Sequence, residues 1–291
     1  MAAVSSGSAQ VTVEVTQPQD QFLPGEALPI TVRIINHSGQ TLRLGGEGDW
    51  LRFSVESREG LVVPRVADTP VVEPFELPSS KMALKRLDLA PGFPISQPGR
   101  YNIIAYLKIK EWGREVVSEP KAMDVIRGVG LWEQEFGVPK PPGAPEGSPE
   151  LRRYVLQQAN YIKGGLRLYL RVTDVTGDRP LKVVRVGNLV SFSQPEHVID
   201  QASNLHLLYQ DGAHAFSYFT YNPDGELLAR QTYDYVTTRP RLKADAEGKI
   251  SVTGGVRRIA STDVPPPPRP VDSIEPPKPL KTSEDTAATK P

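Results

Sequence analysis

The stretch that decides the fold class is residues 101–110, YNIIAYLKIK. Its odd-numbered side chains are all apolar or aromatic: Tyr101, Ile103, Ala105, Leu107 and Ile109. Asn102, Lys108 and Lys110 alternate with them, joined by Ile104 and Tyr106. A period of two turns one face of an extended strand towards a core and the other towards water. The stretch therefore predicts a long β-strand.

The same alternation recurs N-terminal to this strand, in residues 11–15, 30–34 and 51–55. Turn-forming pairs separate the runs: Pro24-Gly25, Ser38-Gly39, Gly45-Gly46, Pro91-Gly92 and Pro98-Gly99. Roughly seven short strands within ~115 residues is the size of a β-sandwich. We therefore predict a β-sandwich domain over residues 10–126.

Two parts of this region carry a resemblance to a known family. Residues 22–36, with the segments FLPGEAL and ITVRIIN, are similar to the opening strands of bacterial immunoglobulin-like domains. Residues 98–101, PGRY, and 118–120, SEP, are similar to their closing strands. The resemblance implies an immunoglobulin-like fold and no particular function. It also implies that Tyr101 is a corner tyrosine whose hydroxyl bonds back to the chain.

The resemblance has two departures. Ile103 occupies the place of the second core cysteine of antibody domains, so packing alone must hold the sheets together. Trp50 has the wrong parity to join Leu51 and Phe53 in the core, so we expect it outside the core unless a bulge shifts it.

The rest of the chain is predicted to consist of a linker, a second domain and a tail. Residues 127–150 contain GVPKPPGAPEGSP and are predicted to be a Pro/Gly-rich linker. At its end, Ser148 can cap a helix and Pro149 suits a first helical position, so we expect one short helix to about Asn160. Residues 151–260 otherwise predict a second antiparallel β-meander domain. Residues 261–291 form a proline-rich tail that we expect to be disordered.

Three hairpins in series are predicted within the second domain. Their turns are Asp211-Gly212, Pro223-Asp224-Gly225 and Glu247-Gly248. If the first turn has two residues, one face carries Leu205, Leu207, Tyr209, His214, Phe216 and Tyr218. That face is either the core of the second domain or a platform for a sugar or a protein. The candidate ligand-binding residues are therefore Tyr209, His214 and Tyr218.

Composition excludes several classes of function. The 34 basic and 34 acidic residues balance, and no run is strongly basic, so nucleic-acid binding is not expected. The absence of cysteine excludes thiolate nucleophiles, iron–sulfur clusters and cysteine-ligated zinc. No apolar run approaches the ~20 residues of a transmembrane helix. The 24 glycines and 29 prolines favour many turns and an all-β architecture.

Neither a catalytic centre nor a cofactor site is predicted. His206 and His214 face opposite sides with a two-residue turn, and with a three-residue turn they stand about 13 Å apart along the strands. A shared metal is therefore not expected in either register. The sequence contains no G-x-S-x-G elbow and no phosphate-binding glycine loop. Asp200, His197 and His206 remain candidates for a hydrolase site between the two domains.

The N-terminal residues give the sequence evidence on the cellular compartment of the protein. Residues 6–10, SGSAQ, resemble the small-residue end of a secretory signal, although the charged and apolar regions of a signal peptide are missing. The stretch is either the remnant of a truncated signal peptide or a flexible N-terminus. We expect a non-catalytic, exported bacterial protein, periplasmic or extracellular, that binds or scaffolds a protein or glycan at the cell envelope. The alternative function is a carbohydrate-binding or substrate-docking module.

Overall fold

The computed structural model describes residues 10–46, 48–68, 73–140, 150–177 and 180–265. The described chain is mostly β, as predicted, and its multiple sheets are dominated by antiparallel pairing. Within these ranges the helical structure is a single 3-10 turn, Lys110–Trp112. The predicted N-terminal segment 1–9 lies outside the described residues.

The first half folds as two sheets packed face to face. One sheet has the order β1-β3-β7, with β1 (Val11–Thr16), β3 (Pro29–Asn36) and β7 (Met82–Asp88). The other has the order β2-β10-β8-β5, with β2 (Gln21–Phe22), β5 (Leu51–Ser57), β8 (Gly99–Ile109) and β10 (Lys121–Val125). Strand β9 (Arg114–Val117) also pairs with β8, and β4 (Leu42–Leu44) pairs with β6 (Phe75–Leu77). The predicted alternation of 101–110 is confirmed, because Ile103, Leu107 and Ile109 are fully buried in the shared core.

Two side chains test the details of the first sandwich. The Tyr101 hydroxyl donates a hydrogen bond to the Gln97 carbonyl at 2.8 Å, which is the backward bond that the resemblance implies. Trp50 is only 6 % exposed and belongs to the core, so the prediction that it lies outside is wrong. It lies just before β5, where strand parity does not apply, and its ring meets Phe75 edge-on at 5.8 Å.

The second half is another two-sheet structure. One sheet has the order β11-β12-β13-β14, with β11 (Val129–Gly137), β12 (Leu151–Tyr161), β13 (Gly165–Asp174) and β14 (Pro180–Asn188). The other has the order β15-β16-β17-β18-β21, with β15 (Glu196–Ile199), β16 (Leu205–Gln210), β17 (Ala215–Tyr221), β18 (Leu227–Asp234) and β21 (Val256–Arg258). Their inner faces share a core that includes Leu156, Leu170, Leu207 and Phe219. The hairpin of β19 (Arg241–Ala244) and β20 (Ile250–Thr253) packs on the outer face of the second sheet.

The predicted short helix is wrong. Residues 151–161 form β12, which pairs along its length with both β11 and β13. Helix capping is a local preference of about 1 kcal/mol, whereas a central strand satisfies its backbone groups on both edges. The proposed cap and first residue, Ser148 and Pro149, lie outside the described residues.

Two predicted boundaries also differ from the structure. Residues 129–137, assigned to the linker, form the edge strand β11. At the start of the predicted tail, Val264 and Arg230 exchange backbone hydrogen bonds of 2.9 and 3.1 Å, and Asp263 is buried. Ordered structure therefore continues to Pro265, and residues 266–291 lie outside the described residues.

The Pro24-Gly25 turn of the first sandwich contacts the outer face of the sheet that contains β14. Gly25 has a φ of +78°, which favours glycine, and a Cβ there would lie 3.0 Å from the ring of Pro180. Glycine therefore suits both the backbone conformation and the close approach to Pro180. Leu23 packs with Tyr169 and Val183 beside this turn. The first sandwich thus contacts one face of β14, which is the last strand of its sheet.

Candidate functional site

The β16–β17 hairpin decides where the predicted site residues lie. Gln210 pairs with Phe216, and the Asp211 amide donates to the Ala215 carbonyl at 3.1 Å, so the connection is longer than the two-residue turn. The Gln210 side chain stabilises this loop by donating to the Gly212 and Ala213 carbonyls, both at 3.0 Å. In this register Tyr209 pairs with Ser217, and Leu208 pairs with Tyr218. Tyr209 and Tyr218 therefore occupy opposite faces, and the predicted common face is wrong.

Tyr218 lies on the outer face, in an enclosed hydrogen-bonded chain. Thr220 Oγ1 donates to the Tyr218 hydroxyl at 3.0 Å, and that hydroxyl lies 2.7 Å from His206 Nδ1. His206 Nε2 lies 3.0 Å from Asp200 Oδ2. Burial would raise the pKa of Asp200, but hydrogen bonds from His206 and Asn204 outweigh it and hold the pKa below its usual value. His206 and Tyr218 are 8 % and 7 % exposed, so the chain fixes the β15–β16 turn to the sheet and offers little access to a substrate.

The remaining histidine candidates lie apart from this chain. His214 is exposed in the β16–β17 loop, where its ring lies 6.4 Å from that of Tyr235. His197 lies on β15 with its ring 4.1 Å from Trp132 of β11, and burial lowers its pKa. The Asp200–His206 pair is on the outer face of its sheet, whereas the first sandwich contacts the opposite sheet. The Asp200–His206 pair therefore does not lie between the two domains, where the hydrolase hypothesis requires it.

Tyr209 points inward and ends against the backbone of β14. The residue is 2 % exposed, and a Cβ on Gly187 would lie 2.2 Å from its hydroxyl oxygen, so only glycine leaves room for the phenol. Burial, followed by the negative charge of Asp211, raises the pKa of Tyr209 far above its usual range. The phenol therefore stays protonated at neutral pH and can donate a hydrogen bond.

A cavity lies beside the Tyr209 hydroxyl, at the edge of β14, and we call it the Tyr209 cavity. Its volume is about 330 Å³, which is within the usual ~300–1,000 Å³ of small-molecule sites. It is lined by Arg185, Val186, Gly187, Asn188, Tyr209, Asp211 and Arg230. Most of these residues are polar, whereas the interdomain cleft around Phe22 and Phe93 is lined mainly by apolar side chains.

Two buried polar atoms on residues of this cavity have no hydrogen-bond partner among the described residues. They are Asp211 Oδ1, an acceptor, and Arg230 Nε, a donor. The other oxygen of Asp211 accepts a hydrogen bond of 2.6 Å from the Ser217 hydroxyl, which fixes the carboxylate. Leaving a buried polar group unpaired costs ~1–3 kcal/mol, so a hydrogen bond to either atom from a ligand or a water molecule would be stabilising.

The guanidinium groups of the cavity sit in different environments. Arg230 is half-buried, with its guanidinium 5.4 Å from the centre of the Phe219 ring. Arg185 is exposed at the rim, where its contact with the Asn188 amide oxygen is a long 3.5 Å. Neither arginine forms an ion pair with another residue that the structure describes. The cavity thus offers a floor that can both donate and accept hydrogen bonds, and a cationic rim.

Sequence reasoning identified Tyr209 and missed the rest of the cavity. Gly187 directly follows the valine-rich segment 183–186, and a glycine inside a strand often marks the close approach of another group. That signal could have located the β14 wall. Arg185 and Arg230 carry no local signal, because only the packing of β14 against β16 and β18 brings them together.

Two searches of the described part of the chain give negative findings. We find no helix there with the length and apolarity of a membrane span. Nor do three or more histidine, aspartate or glutamate side chains of those residues converge as metal ligands would.

Comparisons with known proteins add two distant likenesses. No family model matches the chain. Over 146 residues, half of this chain, it is 27 % identical to the threonine dehydratase-like protein AKTS1-1 of Alternaria alternata, and it spans only 35 % of that protein's length. The solved structure of Spo0M, a sporulation control protein from Bacillus subtilis, aligns with 62 % of this chain and 90 % of its own, at 10 % identity and a TM-score of 0.30. Neither likeness assigns a family.

Proposed function

We propose that this protein is a non-catalytic binding protein and that its second sandwich binds a hydroxyl-bearing small ligand, such as a saccharide, in the Tyr209 cavity. The observation that carries the proposal is the pair of unpartnered buried atoms, Asp211 Oδ1 and Arg230 Nε. A sugar hydroxyl can donate to the first and accept from the second, because a hydroxyl is both donor and acceptor.

The surroundings of these atoms support a binding role. The Tyr209 phenol adds a neutral donor, and Gly187 lets it approach the backbone of β14. Arg185, Tyr209 and Arg230 lie on paired strands, and the loop residue Asp211 is held by the Ser217 hydroxyl, so these groups need little reorganisation on binding. Tyr209 is the residue that the sequence hypothesis of a carbohydrate-binding module shares with the cavity.

The test is a binding measurement on purified protein with Tyr209→Phe, which removes the hydroxyl and keeps the ring. A glycan array identifies saccharides that the unmodified protein binds, and calorimetry then compares the variant. We expect Tyr209→Phe and Asp211→Asn each to weaken binding about 10-fold, the equivalent of roughly 1.4 kcal/mol for a buried hydrogen bond.

The matched control is Tyr233→Phe. The Tyr233 hydroxyl donates to Gln231 Oε1 at 2.7 Å, and Tyr233 packs beside the outer-face cluster, away from the cavity. This variant should bind as the unmodified protein does. Equal loss in Tyr209→Phe and Tyr233→Phe, or no saccharide binding at all, would rule out the proposed site.

We extend the proposal to location: the protein acts at the bacterial cell envelope, in the periplasm or outside the cell, where it meets a glycan or a protein partner. The support is the segment SGSAQ at residues 6–10, which is similar to the end of a secretory signal. Fractionation of native cells should recover the protein with the envelope or in the medium. Recovery in the cytoplasm alone would contradict this part.

A further inference from the structure

The cationic groups of the Tyr209 cavity outnumber its anionic ones. Arg185 and Arg230 line it together with a single carboxylate, Asp211, so its formal charge is +1. Some other arginines of the second half form close ion pairs: Arg152 lies 2.6 Å from Asp224, and Arg241 lies 2.6 Å from Glu196. The two cavity arginines have no such partner among the described residues, and they lie together at one cavity.

The charged groups around the cavity leave this excess in place. Glu26 and Asp263 are close enough to influence Arg185 and Arg230 electrostatically, but neither forms an ion pair with them. Glu26 instead accepts hydrogen bonds from the Leu23 amide and from the Gln19 side chain. Asp263 is paired with Arg257 at 2.6 Å.

We infer that the ligand is a sugar acid: a polyhydroxylated carboxylate whose oxyanion binds Arg185 and Arg230 and whose neighbouring hydroxyl donates to Asp211. This inference rests on the proposed function and names the ligand class for the same cavity. The planar guanidinium fork matches a carboxylate, and both arginines line the cavity. The protonated Tyr209 phenol can donate to the anion without adding charge.

The orientation follows from where the charges stand. Asp211 would repel a carboxylate placed against it, so the anion must lie towards the arginines and a hydroxyl towards Asp211. A ligand with only an anion leaves Asp211 Oδ1 unpaired, and a neutral sugar leaves both guanidinium groups without a counter-charge. A sugar acid satisfies both ends.

The experiment compares matched ligands by calorimetry: glucose with glucuronate, galactose with galacturonate, and acetate, glucose 6-phosphate and inorganic phosphate as further arms. We expect each uronate to bind about 10- to 100-fold more tightly than its neutral sugar, as charge-assisted hydrogen bonds predict. Arg230→Gln and Arg185→Gln should each reduce that ratio. Arg230→Gln should also weaken binding of the neutral sugar, because it removes the Nε–H from which a sugar hydroxyl accepts a hydrogen bond. Arg241→Gln removes the same charge at the surface, and it should keep the ratio.

The outcomes separate this inference from the proposed function. Equal affinity for glucose and glucuronate, or an unchanged ratio in both cavity variants, overturns the sugar-acid assignment and leaves saccharide binding standing. Preference for glucose 6-phosphate or inorganic phosphate over every carboxylate also overturns it. Absence of binding by any sugar or sugar acid overturns the proposed function, and this inference with it. Circular-dichroism melting of each variant checks that it is folded.

Discussion

The core cluster of the first sandwich contains a single tyrosine, whereas the core region of the second contains several. Valine, leucine and isoleucine from facing strands meet in the first, and its one buried tyrosine, Tyr101, bonds to a nearby carbonyl. In the second half, four tyrosines are at most 2 % exposed: Tyr154, Tyr169, Tyr209 and Tyr221. A buried phenol needs a polar partner, so these residues bring polar groups inside.

The difference teaches where to look for function in a chain that no family model matches. Aliphatic packing stabilises a domain and leaves nothing for a ligand to recognise. A core that admits hydroxyl and carboxylate groups can leave some of them unsatisfied, as it does at Asp211 and Arg230. We therefore propose the binding site in the second sandwich, and the first contacts the outer face of the sheet that supplies one of its walls.

The largest expected effect is a core truncation in the first sandwich. Ile103 is completely buried, so Ile103→Ala should lower the free energy of unfolding by about 2–5 kcal/mol through lost burial and a residual cavity. The matched change is Ile104→Ala, on the half-buried opposite face of the same strand, and it should cost much less. Denaturant unfolding measures both. Equal losses would mean that the aliphatic core is not what stabilises this half.

A second experiment puts a methyl group into the polar cavity. Gly187→Ala would bring a Cβ within 2.2 Å of the Tyr209 hydroxyl, so we expect it to destabilise the protein by about 1–3 kcal/mol and to abolish ligand binding. Adding Tyr209→Phe removes the clashing oxygen and should restore part of the stability. Only partial recovery is expected, because the ring carbon that bears the hydroxyl would remain 3.3 Å away.

The double variant is the discriminating measurement. A coupling energy near zero between Gly187→Ala and Tyr209→Phe in denaturant unfolding would show that the two residues do not contact each other. Unimpaired saccharide binding by Gly187→Ala would show that the cavity is not the site.

The strands of both sandwiches were predictable from the sequence because burial imposes its own period on a strand. The alternation in residues 101–110 indicates which side chains face inward, and β1, β3 and β5 show the same alternation. The prediction failed at 151–161, where Ser148 and Pro149 suggested a helix start and no local feature reports pairing on both edges. Local helix-start signals are outweighed where a segment pairs along its length with strands that are distant in sequence.

The candidate site was less predictable, for two physical reasons. Hairpin register depends on loop length, and the side-chain bonds of Gln210 that support the longer loop are not a standard turn signal. That change in register moved Tyr218 to the opposite face and left His214 in the loop. The cavity also needs three strands that are distant in sequence, so Arg185 and Arg230 could not be joined to Tyr209 before the sheets were packed.

A smaller effect concerns pH at the contact between the sandwiches. Burial raises the pKa of Glu26 above its ordinary 4.5, despite hydrogen bonds from Leu23, Gln19 and Tyr169. The folded state therefore binds the proton more tightly than the unfolded state. The resulting stabilisation is complete below pH 4.5 and is lost as the pH rises through the folded-state pKa.

Glu26→Gln should remove that dependence. Between pH 4 and 8, the stability of the unmodified protein relative to this variant should fall as the pH rises. The exposed Glu119→Gln is the control, and its difference from the unmodified protein should not follow this trend. Urea unfolding at several pH values measures both differences. A relative stability that rises with pH would mean that Glu26 is stabilised as a carboxylate instead.

The smallest effect is expected at Phe192, in the loop that follows the cavity wall. Its side chain is fully exposed, at 104 %, yet its backbone has a φ of +66°, a conformation that costs an L-residue ~1–2 kcal/mol. Phe192→Gly should therefore raise the free energy of unfolding by about 0.5–1 kcal/mol, after the greater chain entropy of glycine is subtracted. Phe192→Ala removes the same ring without relieving the backbone and should leave stability nearly unchanged. If alanine stabilised the protein as much as glycine does, the cause would be the exposed ring and not the backbone. Saccharide titration of the same two variants tests whether this loop also affects binding. If its conformation matters only for stability, ligand affinity should be unchanged in both variants.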